Sequence, residues 1–219
     1  MAEERTLVHL VRHGEVHNPE GVLYERLPGF HLSENGAAMA KLLARHFEDV
    51  PIDHLRVSPL LRARQTMQPI ASTHSGVEVV VDERLIESGS RLAGQQFGPH
   101  HRALFKPSNW PLLRNPYRPS WGEPYTDVAV RMQAALADAA RVAGPGGQAV
   151  LVSHQSPIWI LRLAVEGRRV AHLPISRHCS LASVTTFHFV EGHCVQISYT
   201  EPAAALLGKD GNSSISSGS

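Results

Sequence analysis

Three short segments of the sequence carry side chains that suit the binding of a phosphoryl group. They are "RHG" at residues 12–14, "SPLLR" at residues 58–62 and "SH" at residues 153–154. Arginine stays charged at any working pH, and its planar guanidinium makes paired hydrogen bonds to phosphate oxygens. Two arginines and two histidines in one crevice would therefore indicate a dianionic ligand, such as a phosphoryl group.

The elements around these segments predict that they meet. Apolar β-rich runs alternate with helical patterns, which indicates an α/β layered domain with a largely parallel sheet. Predicted strands at residues 6–11, 52–58 and 148–154 each end at one of the three segments. Because ligands of open α/β sheets bind outside the carboxyl ends of the strands, we expect one crevice there.

Two serines are predicted to mark the starts of helices. Ser33 precedes an amphipathic run and is expected to be an N-cap, and Ser58 followed by Pro59 predicts a helix that starts within the second segment. Such a helix would point its positive end at the bound anion. Further strands are predicted at residues 77–81, 181–189 and 194–200, with the last two forming an edge hairpin.

The predicted organisation is one domain over residues 1–205 with an insertion at about residues 88–124. This insertion holds six prolines between a strand and a helix. A segment of that length is more typical of a packed lid than of a simple connection. The polar residues 206–219 are expected to form a disordered tail.

Composition excludes several classes of partner. The chain has a net charge of +1 and 19% charged residues, which gives no general attraction to nucleic acid or to an anionic membrane. Its two cysteines and its histidines show no metal-ligand spacing, so neither a metal nor another cofactor is expected. The polar start "MAEERT" and the lack of a long apolar run predict a cytoplasmic protein.

Four motifs in a fixed order carry a resemblance to a known family. "LVRHGEV", "SPLLRARQT", "LIE" and "VSHQSP" together resemble the histidine phosphatase superfamily, that is, the phosphoglycerate mutase-like branch 1. The resemblance implies a three-layer α/β sandwich with helices on both faces of the sheet, and a phosphohistidine formed at His13. It also implies that Arg12, Arg62 and His154 hold the phosphoryl oxygens. Glu87 would be the general acid.

These roles make chemical sense. An imidazole attacks through a neutral nitrogen, which a backbone acceptor at the other ring nitrogen can arrange, and a tight turn at Gly14 would permit this. Glu87 must be protonated to donate to a leaving alkoxide, and burial would raise its pKa in that direction. Glu83 also flanks "RLI", but the family pattern places the acid two residues after Leu85, at Glu87.

Four further residues are candidates at the same crevice. Asn18 is a candidate phosphate ligand, although the family asparagine lies six residues beyond the nucleophile and Asn18 lies five beyond His13. A contact of the Ser58 hydroxyl with phosphate is left open beside its role as an N-cap. Gln155, where glycine is usual, and Glu123 are candidate substrate-binding residues.

The predicted function is a phosphomonoesterase that acts on a small phosphorylated metabolite. Mutase-type phosphoryl transfer is an alternative, but residues 88–124 do not resemble the glycolytic mutases. A catalytically weak, phosphate-binding regulatory protein is another. The oligomeric state is left open, with a homodimer among the alternatives.

Overall fold

The computed structural model describes residues 4–96, 122–173 and 176–208. Its strands are β1 (Thr6–Arg12), β2 (His54–Val57), β3 (Val79–Val81), β4 (Gln148–Ser153), β5 (Val184–Val190) and β6 (His193–Thr200). Its α-helices are α1 (Glu34–Phe47), α2 (Leu61–Thr73), α3 (Tyr125–Ala143) and α4 (Gln155–Val165). Short 3-10 helices cover Glu83–Leu85 and Ala204–Leu206.

The strands form one sheet in the order β3-β2-β4-β1-β5-β6. β3, β2, β4 and β1 are parallel neighbours, whereas β5 and β6 form an antiparallel hairpin at the edge beyond β1. Arg12 at the end of β1 pairs with Ser153 at the end of β4, and Val57 of β2 pairs with Val152. The three segments that carry the chemistry therefore converge at one end of the sheet, as the sequence predicts.

Helices cover both faces of this sheet. On one face, Leu10 and Leu151 pack in a core with α3 and α4. On the other face, Val11 and Val152 pack with α1 and α2. Successive residues of a strand point to opposite faces, so neighbouring apolar residues in β1 and β4 supply both cores. The predicted three-layer sandwich, with a mostly parallel sheet, is confirmed.

The start of α2 differs from the prediction. α1 begins as expected, since the Ser33 hydroxyl accepts a hydrogen bond from the Gly36 N–H. In α2, however, the N-cap is Leu60, which makes no side-chain cap, and Ser58 is not the N-cap. The Ser58 N–H instead donates to the Val152 carbonyl and so extends the β2–β4 ladder by one residue.

Only the two ends of the predicted lid are described, because residues 97–121 lie outside the described residues. Ser90 pairs with Gly122 in an antiparallel bridge. The Leu23 N–H donates to the Gln95 carbonyl, so the start of this segment packs on the loop that follows β1. At the predicted tail, Leu206 packs against the α1–α2 core, and residues 209–219 are not described. No helix of the described ranges is long and apolar enough to cross a membrane.

Candidate active site

His13 lies immediately after β1 and is 1% exposed. Its Nδ1 is 2.7 Å from the Gly14 carbonyl oxygen, and the Nε of Arg62 lies 3.2 Å from its Nε2. A carbonyl can only accept and a guanidinium can only donate, so the proton sits on Nδ1 and Nε2 carries a free electron pair. The backbone acceptor that the sequence predicts at Gly14 is present in the structure.

Electrostatics keep this imidazole uncharged. Burial lowers the pKa of His13 well below its usual value, and the charges of Arg62 and Arg12 lower it further. The hydrogen bond to Gly14 acts in the opposite direction and is outweighed. At neutral pH the ring is therefore neutral, which is the state that a nucleophilic nitrogen needs.

The loop that holds His13 is fixed from α1 and from α2. The Gly14 N–H donates to the Thr66 hydroxyl of α2 over 3.1 Å, and the same hydroxyl donates to the Arg62 carbonyl. On the other side, a Cβ on Gly14 would lie 2.6 Å from the Gly36 carbonyl oxygen in α1. Only a glycine fits this approach, so the turn after His13 is set by its packing against two helices.

Two buried arginines flank His13. Arg62 is 1% exposed, stacks on the Tyr24 ring at 4.7 Å and donates to the Glu25 carbonyl. Arg12 is 3% exposed and its Nη1 donates to the Cys179 carbonyl over 2.6 Å. Both guanidinium groups donate to neutral carbonyl oxygens in these contacts, and both positive charges act on the buried Glu87 carboxyl.

His154 lies directly after the end of β4, beside His13. Its ring centroid is 5.1 Å from that of His13, and the ring is fully buried. The Ser58 hydroxyl lies 2.7 Å from its Nε2, while its Nδ1 has no hydrogen-bond partner among the described residues. Burial, followed by the charges of Arg62 and His13, lowers the His154 pKa well below its usual value. The Ser58 hydroxyl thus orients His154.

Glu87 is buried at the same place and is 1% exposed. Its Oε1 accepts from the Ser88 N–H over 2.8 Å, and its Oε2 has no partner among the described residues. Burial raises the pKa of this carboxyl, although the Ser88 N–H and the charges of Arg62, Arg177 and Arg12 oppose the increase. Glu83 is exposed on the short 3-10 helix. Of the two candidate acids, only Glu87 lies with the arginines.

The remaining candidates lie near these residues but have other contacts. Asn18 closes its own loop, since its side chain donates to the Val22 carbonyl and accepts from the Val22 N–H. Glu123 forms ion pairs with Arg26 and Arg131. The phosphate contact of Asn18 and the substrate contact of Glu123 stay predictions.

Gln155 is 3% exposed and begins α4 directly after His154. Its amide nitrogen donates weakly, over 3.4 Å, to the Cys179 carbonyl that also binds Arg12. Its Oε1 has no partner within the described ranges. The contact of Gln155 with a substrate stays a prediction.

Three features of the site are absent from the sequence prediction. α4 starts at the site directly after His154, in addition to α2, which begins at Leu61. Thr66 anchors Gly14, and Glu25 adds a second buried carboxyl. The apolar run "IWILRLAV" could have revealed α4. Nothing in the sequence marks Glu25, because its burial depends on a loop conformation.

The described residues contain no group of three or more His, Cys, Asp or Glu side chains that could hold a metal ion. The chemistry of the site rests on the imidazoles, the guanidinium groups and the carboxyls described above. A neutral buried imidazole between two arginines, at the carboxyl end of a mostly parallel sheet, is an arrangement suited to phosphoryl transfer.

Comparison with known proteins identifies the class. A profile of the histidine phosphatase superfamily (branch 1) matches residues 8–201. The chain therefore belongs to this superfamily, and this membership supports phosphatase-type phosphoryl transfer. An uncharacterized protein of Mycobacterium tuberculosis (strain ATCC 25618 / H37Rv) is 50% identical over 201 residues, which cover 92% of this chain and 98% of that protein.

Two solved structures show the same fold at low sequence identity. A phosphoserine phosphatase of Entamoeba histolytica, in complex with 3-phosphoglyceric acid, has a TM-score of 0.72 and 23% identity, covering 90% of this chain and 99% of that one. A phosphoglycerate mutase of Bacillus anthracis str. Sterne has a TM-score of 0.70 and 16% identity, covering 93% and 96%. The fold is thus phosphoglycerate mutase-like.

Proposed function

We propose that this chain is a phosphomonoesterase that hydrolyses a small phosphorylated metabolite through a phosphohistidine at His13. The observation that carries the proposal is the state of the His13 ring. Its Nδ1 is committed to the Gly14 carbonyl, and its Nε2 is unprotonated beside Arg62. This nitrogen is a buried, unprotonated nucleophile that faces a guanidinium.

In the first step, His13 Nε2 attacks phosphorus and the bond from phosphorus to the ester oxygen breaks. Arg12 and Arg62 stabilise the negative charge that spreads over the equatorial oxygens. Removing one such preorganised donor typically costs about 3 kcal/mol of transition-state stabilisation. Glu87 donates its proton to the departing oxygen, so the alcohol leaves neutral and the carboxyl becomes a carboxylate.

His154 supports the same step through its free ring nitrogen. The Ser58 hydroxyl lies 2.7 Å from Nε2, and in the tautomer that this mechanism uses it donates to Nε2 and the ring proton is on Nδ1. Nδ1 has no other partner among the described residues, so it can donate to a phosphoryl oxygen. Ser58 therefore serves the phosphate through His154 rather than by capping a helix.

In the second step, water attacks the phosphohistidine. The Glu87 carboxylate takes a proton from the water, the bond from phosphorus to Nε2 breaks, and inorganic phosphate leaves. His13 returns to its neutral form and Glu87 to its protonated form. Each group ends the cycle as it began, so no other reactant is required.

The acceptor of the phosphoryl group distinguishes hydrolysis from mutase chemistry. A mutase would keep the alcohol and return the phosphoryl group to another hydroxyl, whereas a phosphatase admits water. The unfamiliar sequence of residues 88–124 is the feature that favours hydrolysis. The cytoplasmic location and the oligomeric state stay predictions.

The test combines turnover with trapping of the intermediate. Wild type should hydrolyse an aryl phosphate and some members of a panel that includes phosphoserine, 3-phosphoglycerate and sugar phosphates. Acid-labile phosphate should appear on the protein after rapid quenching. The His13→Ala variant should lose both signals by at least about a hundredfold, whereas His193→Ala, on the exposed end of the β5–β6 hairpin, should retain them.

Equal inactivity of wild type and His13→Ala on the whole panel, with no trapped phosphohistidine, would overturn the proposal and leave a phosphate-binding protein. Formation of 2-phosphoglycerate from 3-phosphoglycerate with a bisphosphate primer, in place of free phosphate, would establish the mutase alternative.

A further inference from the structure

Two arginines hold the segment of residues 84–87, which ends at the proposed acid Glu87. Nε of Arg26 donates to the Glu87 carbonyl over 2.6 Å. At the other end, Nη1 of Arg131 donates to the Arg84 carbonyl over 2.5 Å. Arg26 belongs to the loop that follows β1, whereas Arg131 lies in α3. Two separate parts of the fold therefore hold the backbone on either side of the acid.

The carboxylate of Glu123 joins these two arginines. Its Oε2 accepts from Nη2 of Arg26 over 2.6 Å, and its Oε1 accepts from Nε of Arg131 over 2.9 Å. Nη2 of Arg131 also donates to Oε2, over 3.1 Å. This bidentate contact fixes the geometry of the pair more strictly than a single hydrogen bond does. We refer to Arg26, Glu123 and Arg131 as the acid clamp.

The backbone of Glu123 lies against the same segment. The Glu123 N–H donates to the carbonyl of Gly89, two residues beyond Glu87, over 2.9 Å. The preceding residue, Gly122, pairs with Ser90 in an antiparallel bridge. A Cβ on Gly122 would collide with the Gly89 carbonyl oxygen, so only a glycine allows this approach. Main chain and side chain together place Glu123 beside the acid-bearing segment.

The Glu87 carboxyl has few contacts of its own. Its Oε1 accepts from the Ser88 N–H, and its Oε2 has no partner within the described ranges. The position of the carboxyl therefore depends on the position of its backbone, which Arg26 contacts directly. A general acid must lie within hydrogen-bonding reach of the atom that it protonates, and a displacement of about 1 Å can lower the rate about a hundredfold.

We propose that Glu123 is a positioning residue, which holds Glu87 within reach of the leaving oxygen through Arg26 and Arg131. The inference rests on the phosphatase function proposed above and concerns the same site. It differs from the substrate contact that the sequence predicts for Glu123, because both carboxylate oxygens already accept hydrogen bonds from arginines.

The test compares two leaving groups in Glu123→Gln. An alkyl phosphate such as glycerol 3-phosphate needs a proton on the departing oxygen, whereas p-nitrophenyl phosphate reacts without that help. An amide has one acceptor oxygen and cannot accept from both arginines as the carboxylate does. On the alkyl ester, kcat should fall by about tenfold or more while KM stays within about twofold. Hydrolysis of p-nitrophenyl phosphate should change by less than about twofold.

Two outcomes of this comparison would overturn the positioning role. An equal loss of kcat with both esters would show that the variant damages more than the acid. A raised KM with kcat unchanged would mean that Glu123 binds the substrate directly, as the sequence predicts.

Glu166 offers a matched control. Its carboxylate also joins two arginines, Arg162 and Arg168, and its side chain is 23% exposed against 20% for Glu123. It lies just beyond the far end of α4, roughly 16 Å along the helix from the site. Glu166→Gln should leave both rates within about twofold of wild type.

A double-mutant cycle tests whether Glu123 acts through Arg26. Arg26→Met removes both donated hydrogen bonds and keeps a side chain of similar length. Because the two side chains act on Glu87 through one network, the kcat loss of the double variant on the alkyl ester should be smaller than the product of the two single losses. A loss equal to that product would overturn the route through Arg26.

A further measurement does not depend on turnover. The Ser88 N–H donates to Oε1 of Glu87, so the hydrogen exchange of this amide reports the position of the carboxyl. Glu123→Gln should speed this exchange by about tenfold or more, whereas the amide of Leu151 in the central strand β4 should keep its rate. Unchanged exchange at Ser88 would overturn the clamp, whether or not the chain is a phosphatase. Faster exchange at Ser88 in a protein without turnover would overturn only the phosphatase function.

Discussion

The two nitrogens of the His13 ring have different partners, and the difference fixes the chemistry of the residue. Nδ1 meets a carbonyl and Nε2 meets a guanidinium, so the ring has one tautomer. The same division holds at His154, where one nitrogen contacts Ser58 and the other has no partner among the described residues. In the mechanism that we propose, these hydrogen bonds select Nε2 of His13 as the attacking atom and Nδ1 of His154 as the donor to phosphate.

The acid can be tested by a pair of substitutions. Glu87→Gln should lower kcat on an alkyl phosphate by about a hundredfold or more, because positioned general acids typically contribute 10²- to 10⁴-fold. The loss should be much smaller with p-nitrophenyl phosphate. Glu83→Gln is the matched control, since Glu83 is exposed on the adjacent turn. An equal loss in both variants would contradict the assignment of Glu87.

The elements of the site show what the sequence could predict. The sequence predicted that the arginines and histidines meet at one end of the sheet. This was possible because apolar runs indicate where the strands end, and the motifs follow directly after those ends. The prediction of Ser58 as an N-cap was wrong, because its hydroxyl contacts the buried imidazole of His154, which follows β4 and lies 96 residues away in the sequence. The burial of Glu25 depends on long-range packing of its loop, so it could not be read from residue order.

The helix α1 offers a test of the packing that fixes the nucleophile loop. A Cβ on Gly36 would collide with the backbone carbonyl of Glu15. Gly36→Ala should therefore lower the free energy of unfolding by about 1–3 kcal/mol, and kcat should fall because the His13 turn must move. Gly76→Ala, where a Cβ meets nothing within 4 Å, should change stability by less than about 0.5 kcal/mol. Thermal unfolding and initial rates measure both effects.

At the scale of the whole molecule, burial of titratable groups links stability to pH. The pKa of Glu25 is about 8 in the folded protein and near 4.5 in an unfolded chain. The folded state thus binds more protons than the unfolded state between these values, and stability falls as pH rises through that range. The buried histidines act in the opposite direction, but only below about pH 6.5, because their pKa values are lowered.

Glu25→Gln should consequently remove part of the pH dependence between about pH 6.5 and 8. In wild type, the free energy of unfolding should fall across this window by up to about 1.4 kcal/mol per pH unit for each proton held. The variant should show a smaller slope, measured by urea unfolding at several pH values. An unchanged slope would mean that Glu25 is already ionised at pH 6.5.

The sheet order also has a consequence for folding. β1, which delivers Arg12 and His13, lies between β4 and β5, two strands that the chain makes more than 130 residues later. Pairings of such long sequence separation form slowly, since loop-closure entropy opposes them. A nascent chain can hold the nucleophile motif and most of its helices while it still lacks the partner strand. The environment of His13, our proposed nucleophile, therefore forms late in folding, and a chain that still lacks β4 and β5 contains the motif without that environment.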